Sequence, residues 1–226
     1  MNSRHPPVKI ILPRAGLCRW QLQLAECFLS YWPGDAQVQL VASAARCKRG
    51  WPASRLAAME EVAPIGAAEL GARLGEHRQG ILLDLSGLPW AEHAGDGTWL
   101  QLKLWTLDGD LAAQGIPFLT ETLRGERVTA VMLVTRPAGS GGSLRGMGVG
   151  WWRTVPDRYR GFVDRLLGEL PQAVLRTLLA CEWSAASGAG LLQDEFSNLP
   201  VQNRCARRLD PLRALAGIGR GLLTRL

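Results

Sequence analysis

The chain has no run of about 18 apolar residues, the length a membrane-crossing helix requires, so no such span is expected. It has no two cysteines at C-x-x-C spacing. Cys18, Cys27, Cys47, Cys181 and Cys205 are odd in number and scattered, which argues against a disulfide framework and against a structural zinc site. Histidine is scarce: His5, His77 and His93 lie apart from one another and from the cysteines, so no metal site is expected. The N-terminal apolar run, Val8 to Leu12, is too short for a signal-peptide core, and a cytoplasmic protein is expected. Acidic–basic imbalance is confined to the end of the chain. The formal charge is +6, and from Arg204 onward six arginines face one aspartate, Asp210, a balance of +5. The body therefore shows no basic stripe of the kind a nucleic-acid face needs, and no nucleic-acid partner is expected.

What is present is an alternation of apolar runs and helical periods. VKIIL (8–12) is a short buried-strand run. The stretch after its turn, WQLQLAECFLSYW, spaces Trp20, Leu24, Cys27, Phe28 and Tyr31 as a helix would. VQLVA (38–42) is a second strand, and AAELGARLGEHR (67–78) a short helix. GILLDLSG (80–87) is a third strand that ends in Asp84, Ser86 and Gly87, and WLQLKLWTL (99–107) a fourth. PFLTETLRG (117–125) suits a helix with Pro117 in its first turn and Gly125 just past its end. VTAVMLV (128–134) is a fifth strand. The glycine-rich stretch 139–150 lacks the G-K-[ST] ending of a phosphate loop and is read as a loop or hairpin. Two helical segments follow, divided at Pro171. Strands alternating with helices define an α/β, Rossmann-like fold, a mostly parallel sheet with helices on both faces. Residues 1–183 form this domain, and 184–226 a linker and basic C-terminal segment.

The opening VKIILPRAGLCRWQ, together with ILLDLSG, LWTLDGD and TETLRGERVTAVML, resembles the N-terminal domain of the formyltransferase family, the fold of methionyl-tRNA and glycinamide-ribonucleotide formyltransferases. The resemblance covers roughly residues 8 to 180 and is nearest a divergent bacterial branch, in which such a domain often precedes a glycosidase-like propeller. It implies 10-formyltetrahydrofolate as the cofactor, with Asp84, Ser86 and Gly87 as candidates to bind it. It also implies acyl transfer. An amine attacks the formyl carbon, a polar donor stabilises the oxyanion, and a His–Asp pair moves the proton. Thr106 stands at the family's Asn position and Asp108 at its His position, and the family's Asp falls near Gly141, so none of the three is retained. An aspartate has an ordinary pKa of about 3.9 against about 6.5 for histidine, and it would add negative charge where an oxyanion develops.

Two readings of LWTLDGD remain open. Asp-Gly is a turn signal, and aspartate side chains bond nearby backbone N–H groups. Alternatively Thr106, Asp108 and Asp110, with Asp84, form an acidic site that binds a cation or serves as a general base. Arg14 and Arg19 flank the first strand–helix turn and are candidates for an anion site, or solvated loop residues. Trp151 and Trp152 anchor the glycine-rich stretch or meet a ligand or partner. The C-terminal segment 210–226 places Leu212, Leu215, Ala216, Leu222, Leu223 and Leu226 on one side, bordered by arginines. It suits docking on a protein partner, self-packing, or a peripheral membrane contact. The expectation is a non-catalytic or repurposed formyltransferase-like domain acting as a binding or partner subunit in the biosynthesis of a glycan, glycolipid or natural product. The alternative is an active formyl- or other group transferase with an acidic site at Asp108 and Asp110.

Overall fold

The computed structural model describes residues 5–41, 56–62, 79–90, 99–136, 144–155 and 158–181, with a two-residue strand at Ser197–Asn198. The expected helix at 67–78, His77, His93, Cys47, Cys205, Gly141 and the segment 210–226 lie outside the described residues.

The elements run β1 (Val8–Pro13), α1 (Arg19–Tyr31), β2 (Ala36–Val41), a 3-10 turn (Ala57–Met59), β3 (Gly80–Asp84), β4 (Trp99–Thr106) and β5 (Gly109–Asp110). A second 3-10 turn (Leu111–Ala113) leads to α2 (Leu119–Arg124), β6 (Val128–Thr135), β7 (Arg145–Arg153), α3 (Tyr159–Ala180) and β8 (Ser197–Asn198). They build the α/β, Rossmann-like class the alternation predicts. The sheet order is β2-β1-β3-β4-β6-β7-β8, with β5 paired to β4. The block β2-β1-β3-β4 is parallel, and β6, β7 and β8 continue it antiparallel. The chain goes from β1 to one side and returns to the other at β3, which makes the C-terminal ends of β1 and β3 the crevice where open α/β sheets bind ligands.

Pleating sends alternate side chains to opposite faces. Val8, Ile10, Leu12, Ile81, Leu83, Leu102, Leu104, Val131 and Leu133 share one buried face, and α1 and α3 close over it. Helix α1 meets it with Trp20, Leu24 and Phe28, one per turn. Helix α3 brings Leu166, Leu167, Leu170, Val174 and Leu178. Each such side chain contributes about 1.5–3 kcal/mol on burial. Helix α2 ends as its sequence predicts, at Gly125 with φ 65°, a left-handed cap that glycine adopts without strain.

Of the two readings of 139–150 the hairpin is the one found: Arg145 to Gly150 belong to β7, which pairs with β6. Glycine there does not end the strand, because β6 supplies a partner along its whole length. One expectation is corrected: Pro171 does not divide two helices. It sits inside one continuous helix, buried against the core, where packing on both sides of it outweighs the hydrogen bond that its missing N–H forfeits. One finding adds to the domain plan: Ser197–Asn198, beyond residue 184, rejoins the sheet on β7.

Candidate functional site at the ends of β3 and β4

The face of the sheet opposite α1 and α3 is chemically unlike the first. Asp84 on β3 is in register with Lys103 on β4, and both side chains are 1% exposed. The Lys103 ammonium lies 3.4 Å from Asp84 Oδ2 and 2.7 Å from Asp110 Oδ2, and donates a third bond to the carbonyl of Leu88. Asp84 Oδ1 accepts from Ser86 N at 3.0 Å and Ser86 Oγ at 2.6 Å, and its Oδ2 accepts from Gln101 Nε2 at 2.9 Å. Asp110 Oδ1 accepts from Ala112 N at 3.0 Å and caps the turn that follows β5. Burial raises the Asp110 carboxyl above its ordinary value, against the downward pull of Lys103 and the Ala112 amide. The network is closed from outside by Trp90, whose ring centre is 5.5 Å from Lys103 Nζ and 5.5 Å from the Arg136 guanidinium, and which leans on Trp105. Gly87, with φ 71°, lets the chain pass Ala112, whose carbonyl oxygen would be 2.9 Å from any Cβ there.

The second group of polar residues surrounds the β4–β5 turn. Thr106 is 1% exposed. Its hydroxyl oxygen accepts from Asp108 N at 3.1 Å and from Gln114 Nε2 at 2.7 Å. Asp108 is exposed, and its Oδ2 accepts from Thr120 N at 3.2 Å, in the first turn of α2. Glu121 is buried. Its Oε1 accepts from Leu107 N at 3.3 Å, whereas among the described residues Oε2 has no hydrogen-bond partner, and neither has Gln114 Oε1. Burial raises the Glu121 carboxyl, and the charges of Asp108 and Glu126 raise it further. Burial, followed by the negative charges of Glu121 and Asp108, likewise pushes the Tyr159 phenol up. It remains a neutral hydroxyl that donates to the carbonyl of Pro117 at 2.6 Å. Phe118, between these groups, adopts φ 59°, a left-handed conformation uncommon for a bulky residue. Its ring is fully buried and packs edge-on against Phe162, and that packing holds the strained backbone in place.

The sequence candidates thus divide. Asp84 and Asp110 come together, but through Lys103 between them. Thr106 and Asp108 belong to the neighbouring turn. Arg14 is exposed just past the end of β1, and Arg19 is paired with Glu60 on the first turn of α1. Glu61 also reaches this turn, its Oε1 accepting from Gly16 N at 3.2 Å. Trp152 packs toward α3 and donates to Glu169 Oε2 at 2.8 Å, whereas Trp151 on the other face is 72% exposed.

Sequence reasoning missed Lys103, Gln101, Glu121 and Gln21. Gln21 Oε1 accepts from Cys18 N at 2.7 Å, and its Nε2 donates to Leu85 O at 2.7 Å, joining the start of α1 to the end of β3. A signal for the first two was present: WLQLKLWT alternates apolar and polar residues, so Gln101 and Lys103 must share a face.

The donor set does not fit the cofactor that the resemblance implies. Every carboxylate oxygen of Asp84 is bonded, and Ser86 Oγ both donates to Asp84 and accepts from Leu88 N at 3.2 Å. No open atom of Asp84 or Ser86 faces a folate. In comparison with known proteins, the chain matches no family model and no curated sequence.

Proposed function

We propose that the chain is a formyltransferase-like α/β domain that acts as a binding or partner subunit in a biosynthetic pathway, serving the assembly of a glycan, glycolipid or natural product, without performing formyl transfer itself. The observation that carries this reading is the engagement of the strand-end residues with one another. Thr106 is bonded to Asp108 N and Gln114, Asp108 to the start of α2, and Asp110 to Lys103 and Ala112. Each works as a turn residue, and among the described residues none stands beside the histidine that the family's proton transfer uses. The experiment is a formyl-transfer assay of the full chain with 10-formyltetrahydrofolate and a panel of primary amines, followed by mass spectrometry of the amines. No formylated product is expected. Turnover above the uncatalysed rate would sink the reading.

One observation favours a second reading, a group transferase with an acidic site at Asp108 and Asp110. Glu121 holds a buried carboxyl oxygen without a partner close to Asp108, with its pKa displaced upward by burial, and displaced carboxyls collect at catalytic centres. The same assay decides it. Turnover that Asp108→Asn abolishes at unchanged melting temperature supports the transferase.

A further inference from the structure

A surface helix usually docks by an apolar stripe. Helix α2 does not: Glu121 is its one buried residue, 2% exposed, and Leu119 and Leu123 are half-buried. Two hydrogen bonds join the helix to the β4–β5 turn, and a carboxylate accepts each. Glu121 Oε1 of the helix accepts from Leu107 N of the turn at 3.3 Å, and Asp108 Oδ2 of the turn accepts from Thr120 N of the helix at 3.2 Å. The crossing draws two acids together, and the charge of Asp108 acts on Glu121. The other titratable groups that act on Glu121 or feel its charge are Glu126, just past the helix, and the Tyr159 phenol of α3. Among the described residues no cation pairs with Asp108, Glu121 or Glu126. Nor has the buried Glu121 Oε2 a donor there, and Gln114 Oε1, whose amide nitrogen is bonded to Thr106 and Gly109 of the same turn, lacks one too. Two like charges at one site oppose each other's ionisation, and a buried acceptor without a donor adds a further penalty. A proton on Glu121 relieves both. It cancels one charge and turns a partnerless acceptor into an O–H donor.

We infer that Glu121 and Asp108 form a proton-operated clasp between α2 and the β4–β5 turn, closed when Glu121 carries a proton and open when both acids are ionised. The ends of the helix suit such a movement. It lies between two residues of left-handed backbone, Phe118 at φ 59° and Gly125 at φ 65°. Phe118 is the fixed end. Its ring is fully buried against Phe162, and Tyr159 donates to the carbonyl of Pro117 just before it. Gly125 is the free end, within an exposed run from Arg124 to Val128. Between the two, Glu121 is the one side chain buried in the body of the protein. Burial and the neighbouring acids raise its carboxyl above the ordinary 4.5 in the closed form. The proton's contribution to closure is therefore complete below the ordinary value and lost as pH rises through the closed-form value. Opening releases Leu107 N and Asp108 Oδ2 at the end of β4, and pH thereby governs access to that turn.

The test is amide hydrogen exchange of the purified full chain between about pH 4.5 and about pH 8, read by mass spectrometry and corrected for the intrinsic pH dependence of exchange. Protection of 106–108 and 119–122 should fall about tenfold across that range, while β1 and β3 keep theirs. Glu121→Gln retains an acceptor for Leu107 N and has no charge to gain. In that variant the protection of both segments should stay within about twofold. Should it not fold, Asp108→Asn replaces it; this variant keeps an acceptor for Thr120 N, removes the like charge and should shrink the fall several-fold. Protection in the parent that does not change with pH overturns the inference. So does a fall that Glu121→Gln, or Asp108→Asn in its place, leaves at full size. A fall shared by β1 and β3 also overturns it, because it marks a loosening of the whole fold and not a clasp.

Discussion

Lys103→Met would leave Asp84 buried beside a neutral side chain, with only the Ser86 and Gln101 bonds to hold its charge. Removing one member of a buried ion pair costs about 3–5 kcal/mol, and both charges here are 1% exposed. Denaturant unfolding should therefore show a loss of that size. Asp84→Asn combined with Lys103→Met should recover part of it, because Asp110, whose side chain is 12% exposed, is then the one carboxylate left without Lys103. A loss below about 1 kcal/mol, the scale of an exposed ion pair, would contradict the account of Lys103 as the centre of the network. Glu121 gives the opposite sign. Burial raises its folded-state pKa above the ordinary 4.5. Its contribution to stability is thus fully present below the unfolded value and lost as pH rises through the folded value. Glu121→Gln keeps an acceptor for Leu107 N and removes the charge. It should raise the melting temperature at pH 7, by a stabilisation on the order of 1 kcal/mol, and the gain should vanish toward pH 4. A variant less stable than the parent at pH 7 would mean that the ionised carboxylate has a partner.

At the scale of the element, α3 carries the clearest departure from sequence expectation. Pro171 deprives the Leu167 carbonyl of its i+4 donor, and proline costs about 3 kcal/mol relative to alanine in a helix interior. Pro171→Ala restores the bond and gives up part of the buried ring. A net gain of about 1 kcal/mol is expected in thermal unfolding, after the lost burial is set against the propensity term; a loss would show that the ring's packing dominates. The strands, by contrast, were legible because their apolar runs are short and bounded: Val8–Pro13 and Val128–Thr135 fall at VKIIL and VTAVMLV, and Gly80–Asp84 and Trp99–Thr106 fall within GILLDLSG and WLQLKLWTL, ending three and one residues earlier. Strand β7 was harder to see. Its glycines are depleted in strands and interrupt the apolar run. The site was legible only in part for a different reason. Asp84 and Asp110 stand out at strand ends, but the lysine that joins them is visible only when β3 and β4 are set in register.

Across the whole molecule the sheet has two unlike faces. One is apolar and closed by α1 and α3. The other holds the Asp84–Lys103–Asp110 network under Trp90 in its parallel half, and the exposed Trp151 with Arg153 in its antiparallel half. At the β4–β5 turn, Thr106, Asp108 and Asp110 bond to this chain's own backbone and side chains. Among the described residues no helix is long and apolar enough to cross a membrane. The central claim is that, among the described residues, Asp84 and Ser86 spend their side-chain hydrogen bonds on this network and not on a bound folate. Calorimetric titration of the purified full chain with a reduced-folate analogue tests it most directly. The account predicts no saturable heat up to millimolar analogue. Saturable binding in the micromolar range, lost on substitution of Asp84 or Ser86, would contradict it.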